Sequence, residues 1–329
     1  MNHKGKMIAD GAICTALTVL LLILTLYLPA FAMLSVMIAG LPLVFLAVRD
    51  GIKCTLLAAV ASVLVLGIVA GDFLSALLLG VVNLLPGLGI GYAISRRKGF
   101  RTTVMISAGA MLLGLLIQML IINAGSGGNG IATMMDGIIE GSKQMLQDMM
   151  NQTPMADQGM AEKMLQSFDL VKEMLLLYLP SMLIGISAAL GYGAAALAIF
   201  MLRRVQKLKI PYLPFSQIQV PRGVCYLSMI LSLGVLLIRE VSVTTAAFQN
   251  LALLTDCFIG VCGLSWIDSK LSLKLTSGYA RAGIYAAVLV VGYLAIGLIA
   301  EILVFLGMLD GLFSFRRFRK VGEGYDKDK

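Results

Sequence analysis

Asn83, Gln118 and Asn123 lie within apolar stretches of this 329-residue chain, and Asp72, Tyr178 and Ser181 lie near the ends of two such stretches. Placed on helices, their amides, hydroxyls and carboxylate could converge and line an outward-facing pocket that hydrogen-bonds a small solute. The same groups could instead bond one helix to another within lipid. Asp256, inside "NLALLTDCFIG", and Glu301 lie in other apolar stretches. An ionisable group there is costly, which points to proton or cation coupling, with structural pairing to Arg239 or Arg281 as the alternative. The only histidine is His3, which removes Ser-His-Asp triads and histidine metal clusters. No G-x-x-x-x-G-K-[ST] motif occurs, so the chain has no P-loop of its own. No enzyme activity, metal or cofactor is expected.

The segment "LGVVNLLPGLGIGYAISRRKG", Leu79 to Gly99, poses the main ambiguity. A dinucleotide fingerprint reads G-x-G-x-x-G between a strand and a helix. Gly87, Gly89 and Gly91 read G-x-G-x-G, no strand pattern precedes them, and the cations follow at the far end. The segment is expected to be a membrane helix. In it, Gly87, Gly91 and Ser95 form a small-residue face for close helix approach, and Pro86 introduces a kink.

The elements that must position these residues are membrane helices. Hydrophobic residues make up 59% of the chain and charged residues 13%, against about 45–50% and 25% in soluble domains. Apolar runs long enough for a ~30 Å hydrocarbon core occur at Ile8 to Leu28, Ala30 to Val48, Cys54 to Ala70, Phe73 to Ser95, Thr102 to Asn123 and Met174 to Leu202. Three more lie at Val224 to Ile238, Ala246 to Ile267 and Ala282 to Leu306, the first of them short. The expectation is an all-α bundle of eight or nine membrane helices. Its net charge of +8 sits at alternate span ends, at Lys4 and Lys6, Arg49 and Lys53, Arg96 to Arg101, and Arg203 to Lys209. The positive-inside rule then places the N-terminus in the cytoplasm of a multi-pass protein, and nucleic-acid binding is not needed to explain the charge. A ninth span would leave the basic tail Arg316 to Lys320 outside, so either one late segment is interfacial or re-entrant, the short Val224 to Ile238 being the weakest candidate, or Arg239 and Glu240 lie within the bundle. Residues 1–32 imitate a secretory signal, but a further span follows at once. The five cysteines lie in or beside apolar runs without metal-type spacing and read as small packing residues.

The chain divides into spans one to five (1–123), an outer polar connection (124–173), span six (174–202), a basic proline-containing loop (203–223), C-terminal spans (224–306) and a polar tail (307–329). The outer connection carries seven acids against three lysines, a net −4. Ile131, Met134, Met135, Ile138, Ile139, Met145, Leu146 and Met149 share one helical face, and Met160, Met164, Phe168, Val171 and Leu175 share a second. Asn151 to Pro154 separates them, giving an amphipathic helical hairpin that serves as an outer cap or as a lid. The loop at 203–223 suits anionic lipid headgroups or a docked partner.

The runs "ALTVLLLILTLYLPA", "GLPLVFLAVRDGIKCTLLAAVAS" and "LLPGLGIGYAISRRKG", with "KLKIPYLPF" and "LGMLDGLFSFRRFRK", make nearly the whole chain resemble the YybS-like family of bacterial membrane proteins. Through residues 8–202 it is similar to the S components of energy-coupling-factor (ECF) transporters. The resemblance implies a six-helix S-component-like core that binds a small solute from outside and docks a transmembrane coupling protein and its ATPase subunits. In S components an A-x-x-x-A face on the first helix makes that contact, and Ala12 and Ala16 match it. The outer hairpin and the extra C-terminal helices depart from that pattern. The expected function is therefore transport-related solute binding at the bacterial cytoplasmic membrane. A non-transporting scaffold or regulator is the alternative, and an ion-coupled secondary transporter using Asp256 and Glu301 is the third reading.

Overall fold

The computed structural model describes residues 3–152, 158–208, 210, 215–237, 243–274 and 296–313. Arg239, Glu240, Arg281, the basic tail and residues 153 and 154 of the expected hairpin break lie outside the described residues. Among those described, the chain is helical with no strand. Among the described residues, six helices are long and apolar enough to cross a membrane: Gly5–Tyr27, Ile52–Ala70, Phe73–Ser95, Phe100–Gly125, Leu170–Val205 and Thr244–Ser272. The chain forms two compact units, Met1–Leu179 with Leu183–Tyr212, and Pro180–Met182 with Leu213–Lys329.

The first unit holds α1 (His3–Tyr27), α2 (Pro29–Ile38), α3 (Leu41–Asp50), α4 (Ile52–Ala70), α5 (Phe73–Ser95), α6 (Phe100–Gly125) and α7 (Gly130–Gln152), with most of α8 (Gln158–Val205). The second apolar run, expected as one helix, is two. Pro42 stands in the first turn of α3 and has no N–H to offer the carbonyl of Ile38, so the helix ends and restarts. The break at Ala39 and Gly40 is buried within the protein.

Helix α5 is the centre of this unit because its glycines open three faces to neighbours. A methyl added at Gly80 would meet Val63 of α4 at 2.5 Å, one at Gly87 would meet Gly40 Cα at 2.7 Å, and one at Gly91 would meet Ala47 of α3 at 2.6 Å. On the other side Gly89 faces Ile106 and Ala110 of α6. Lipid tails solvate apolar side chains as well as a protein interior does, so helices associate through such close packing. The small-residue face expected at Gly87 and Gly91 forms, whereas Ser95 is exposed and donates to the carbonyl of Tyr92 at 2.9 Å. Leu22, Leu43, Leu46, Leu66 and Leu84 fill the core between α1, α3, α4 and α5. An ion pair at 2.7 Å joins Arg49 of α3 to Asp10 of α1.

The end of α5 is unusual. Arg97 N–H donates to Ile94 O at 2.8 Å and Lys98 N–H to Ala93 O at 2.9 Å, the paired bonds of a Schellman closure. Its left-handed position, commonly glycine, is occupied by Arg97 at φ 54°, a conformation that costs a residue with a Cβ about 1–2 kcal/mol.

The second limb of the expected hairpin and the sixth span share one helix. Helix α8 runs 48 residues without interruption, about 72 Å at the α-helical rise, so its first part extends well past any ~30 Å hydrocarbon core. No helix breaker stands at residue 173, and Pro180, which has no N–H for the carbonyl of Leu176, is accommodated inside the helix. Lys172 of α8 pairs with Asp136 of α7, holding the two limbs together, while Met134, Ile138 and Met145 remain exposed.

The second unit contains a 3-10 turn (Phe215–Gln217), α9 (Arg222–Leu237), α10 (Val243–Lys274) and α11 (Ile296–Phe313). Ser265 ties α10 to the preceding segment by bonding the carbonyls of Phe215 and Ile218, at 2.6 and 2.8 Å. Helix α11 continues through residue 307, the expected start of the polar tail, to Phe313. Gly307 packs on α10 and Gly311 against Cys225 and Val220, which keeps this last stretch folded onto its unit.

Candidate functional site

One buried polar node of the first unit centres on Asn83. That residue is 4% exposed, accepts a hydrogen bond from Ser35 Oγ at 2.9 Å and donates to the carbonyl of Leu79 at 2.8 Å. Ser35 lies on α2, just before the break, and Asn83 one turn before Gly87. The node therefore bonds the broken crossing to α5 at the level where their backbones touch.

The remaining residues expected in an outward pocket occupy other places. Asp72 is exposed and caps α5, accepting from the Leu74 amide at 2.9 Å and from the Ser75 hydroxyl. It is eleven residues from Asn83 along one helix, about 16 Å. Asn123 closes α6 onto α7: its carbonyl accepts from Gly128 N–H at 2.9 Å and its Oδ1 from Gly130 N–H at 3.1 Å. Gln118 is half-buried and makes no hydrogen bond among the described residues. Tyr178 is half-buried on α8 and has a partner. Ser181 is 3% exposed, and its amide donates to Asn250 Oδ1 at 3.2 Å within the second unit. Asn83, Asp72 and Asn123 are thus each engaged in helix-to-helix or capping bonds.

Hydrogen bonds from Ser75, and then from the Leu74 amide, hold the Asp72 carboxyl below the usual aspartate range. A lowered folded-state value contributes stability above the unfolded value of about 3.9, and that contribution is lost as pH falls through the folded value. Asp72→Asn is accordingly expected to flatten the acid side of the stability profile below about pH 4. Melting temperatures of both proteins from neutral pH downward check this, and parallel acid slopes would contradict it.

In the second unit the half-buried Asp256 accepts a hydrogen bond from Ser228 Oγ of α9 at 2.6 Å. Its suggested arginine partners fall outside the described residues. Glu301 is exposed on α11. The most buried carboxylates are two others, Asp268 at 6% and Asp310 at 4% exposure, and each has an interaction partner. Their signal in the sequence was an acid within "WIDSK" and "LGMLDGLF", but both stand near apolar-run ends, where an exposed acid is equally ordinary. Cys225 and Cys262 are buried in the core cluster of this unit with Val220 and Ile259, in the packing role expected of them. No group of three or more histidine, cysteine or acidic residues suited to a metal ion occurs among the described residues.

Comparison with known proteins gives one positive finding. No curated protein and no solved structure matches the chain. The family described as "Predicted membrane protein (DUF2232)" matches residues 16–311, a range that runs from α1 through Asp310 and Gly311 near the end of α11. With most of both helical units inside the matched range, the chain belongs to the DUF2232 family of predicted membrane proteins.

Proposed function

We propose that this chain is a non-enzymatic, multi-pass protein of the bacterial cytoplasmic membrane whose first unit binds a small solute from outside and depends on partner subunits for energy, in the manner of an S component. The observation that carries this reading is the broken second crossing, wedged at Gly40 against Gly87. Transporters build midplane sites on discontinuous helices, whose interrupted backbone leaves carbonyls available. Counting α2 and α3 as one crossing, the first unit has six: that pair, α1, α4, α5, α6 and the apolar part of α8. Helices α9, α10 and α11 bring the total to nine, or eight if the 16-residue α9 lies at the interface. The N-terminus is cytoplasmic on the charge rule.

The partner is a transmembrane coupling protein joined to ATPase subunits, and it docks on α1. Ala12 and Ala16 are both exposed there, among the exposed Ile8, Ile13, Leu17 and Leu20. A pair of small residues one turn apart lets another helix approach closely. Purification in mild detergent is expected to retain the partners, and Ala12→Leu with Ala16→Leu to lose them. The melting temperature of the isolated chain should not change, since leucine there overpacks nothing within the unit and favours helix. Retained partners, or a collapsed melting temperature, would remove the docking role.

A second reading, a membrane scaffold or regulator without a solute, is favoured by Asp72, Asn83 and Asn123 being committed to structural bonds. Co-purification of signalling or envelope proteins in place of ATPase subunits would select it.

A further inference from the structure

We propose that the end of the first unit where α5 and α8 terminate is a binding site for a phosphate-bearing anion, held by Arg97 and Lys98. A cavity of about 550 Å³ opens there, with Arg97, Lys98 and Ser95 beside the apolar Val48, Ile94 and Ile210. This volume accommodates a small ligand or a lipid headgroup, and the lining pairs cationic donors with an apolar wall, the chemistry of an anion on an apolar body. Neither cation has a carboxylate partner among the described residues. An arginine guanidinium suits phosphate through its paired N–H donors, with lysine as a neighbouring point charge.

A second observation, in the backbone, points to the same place. Arg97 and Lys207 are the non-glycine residues with positive φ among those described, both at 54°. Arg97 lines the cavity, and Lys207 directly precedes Leu208, which also lines it. Glycine would meet either conformational demand without strain. Strained positions persist where a side chain has a use, and here both carry a cation. Setting topology by charge needs cations near the span end, but it does not need them in left-handed backbone.

The phosphate can come from an anionic membrane lipid or from a soluble phosphorylated species, and one experiment separates the two. Full-length protein in neutral detergent is titrated with phosphatidylglycerol, phosphatidylcholine or inorganic phosphate, read by native mass spectrometry and by the unfolding midpoint. Phosphatidylglycerol is expected to bind at least about tenfold more tightly than phosphatidylcholine. Arg97→Gly and Lys98→Gln should each weaken it severalfold. Arg97→Gly should leave the ligand-free midpoint unchanged or raised, because glycine relieves the left-handed position, so its loss of binding cannot be ascribed to unfolding. Displacement of the lipid by millimolar inorganic phosphate would assign the site to soluble phosphate species, and no displacement would assign it to lipid. Equal binding of the two lipids without phosphate binding, or undiminished binding by both variants, would overturn the proposal.

Discussion

Gly263→Ala and Gly307→Ala should each unfold the second unit well below the wild-type temperature. A methyl at Gly263 would lie 2.0 Å from the Leu303 carbonyl oxygen, and one at Gly307 would lie 2.1 Å from that of Ile259. Both obstacles are backbone atoms of the facing helix, so no rotamer change relieves them and α10 and α11 must separate. Overpacking by one methyl commonly costs about 1–3 kcal/mol, and obstruction by backbone belongs at or above the upper end. Gly260→Ala is the internal control: its methyl would meet Val304 Cγ2 at 3.5 Å, an ordinary contact, and the better helix propensity of alanine offsets any small loss. Thermal unfolding in detergent of all three variants is the measurement. Equal midpoints for Gly260→Ala and Gly307→Ala would show that the two helices do not pack through these glycines.

The second large effect is expected where the broken crossing meets α5. Gly40→Ala would place its methyl 2.9 Å from Gly87 Cα, and Gly87→Ala would place its own 2.7 Å from both Cα and O of Gly40. Again the neighbour is backbone, and the displaced helices also carry the Ser35 to Asn83 hydrogen bond. An interhelical bond of this kind in lipid contributes about 0.6 kcal/mol on average, so packing dominates and the total loss should reach about 3 kcal/mol. Gly109→Ala on α6 has nothing within 4 Å and should leave the midpoint unchanged or slightly raised. If the core binds a solute through this interrupted backbone, Gly87→Ala should also abolish binding, whereas Asn83→Ala should weaken the fold by the smaller amount. A Gly87→Ala protein with wild-type stability would remove the wedge from the account.

The same two contacts mark where sequence reasoning stopped. The small-residue face at Gly87 and Gly91 was legible from its spacing, but its partner was not, because Gly40 lies 47 residues earlier in a run that reads as uniformly apolar. Gly307 and Gly311 have the same four-residue spacing, yet residue 307 was assigned to a polar tail, since the cations that follow pull the local average towards polarity. Asn83 was singled out from the sequence as a polar group within a span, and the structure buries it. Its use in bonding Ser35 depended on a helix that shares no local pattern with it.

The amino-acid sequence alone determined that this is a helical membrane protein, where most spans begin and end, which ends carry the cations, and that an acidic amphipathic segment interrupts the series. Each of these is a property of one segment: its transfer into lipid depends on its own length, apolarity and charge. The tertiary structure decided the break at Gly40, the continuity of α8 through residue 173, the capping roles of Asp72 and Asn123, the burial of Asp268 and Asp310, and the pairing of Gly263 with Gly307. In water a buried face announces itself by being apolar, but in lipid every face is apolar, so periodicity does not say which one meets a neighbour. That choice rests on the fit between two surfaces distant in sequence, which exists only once the helices are packed.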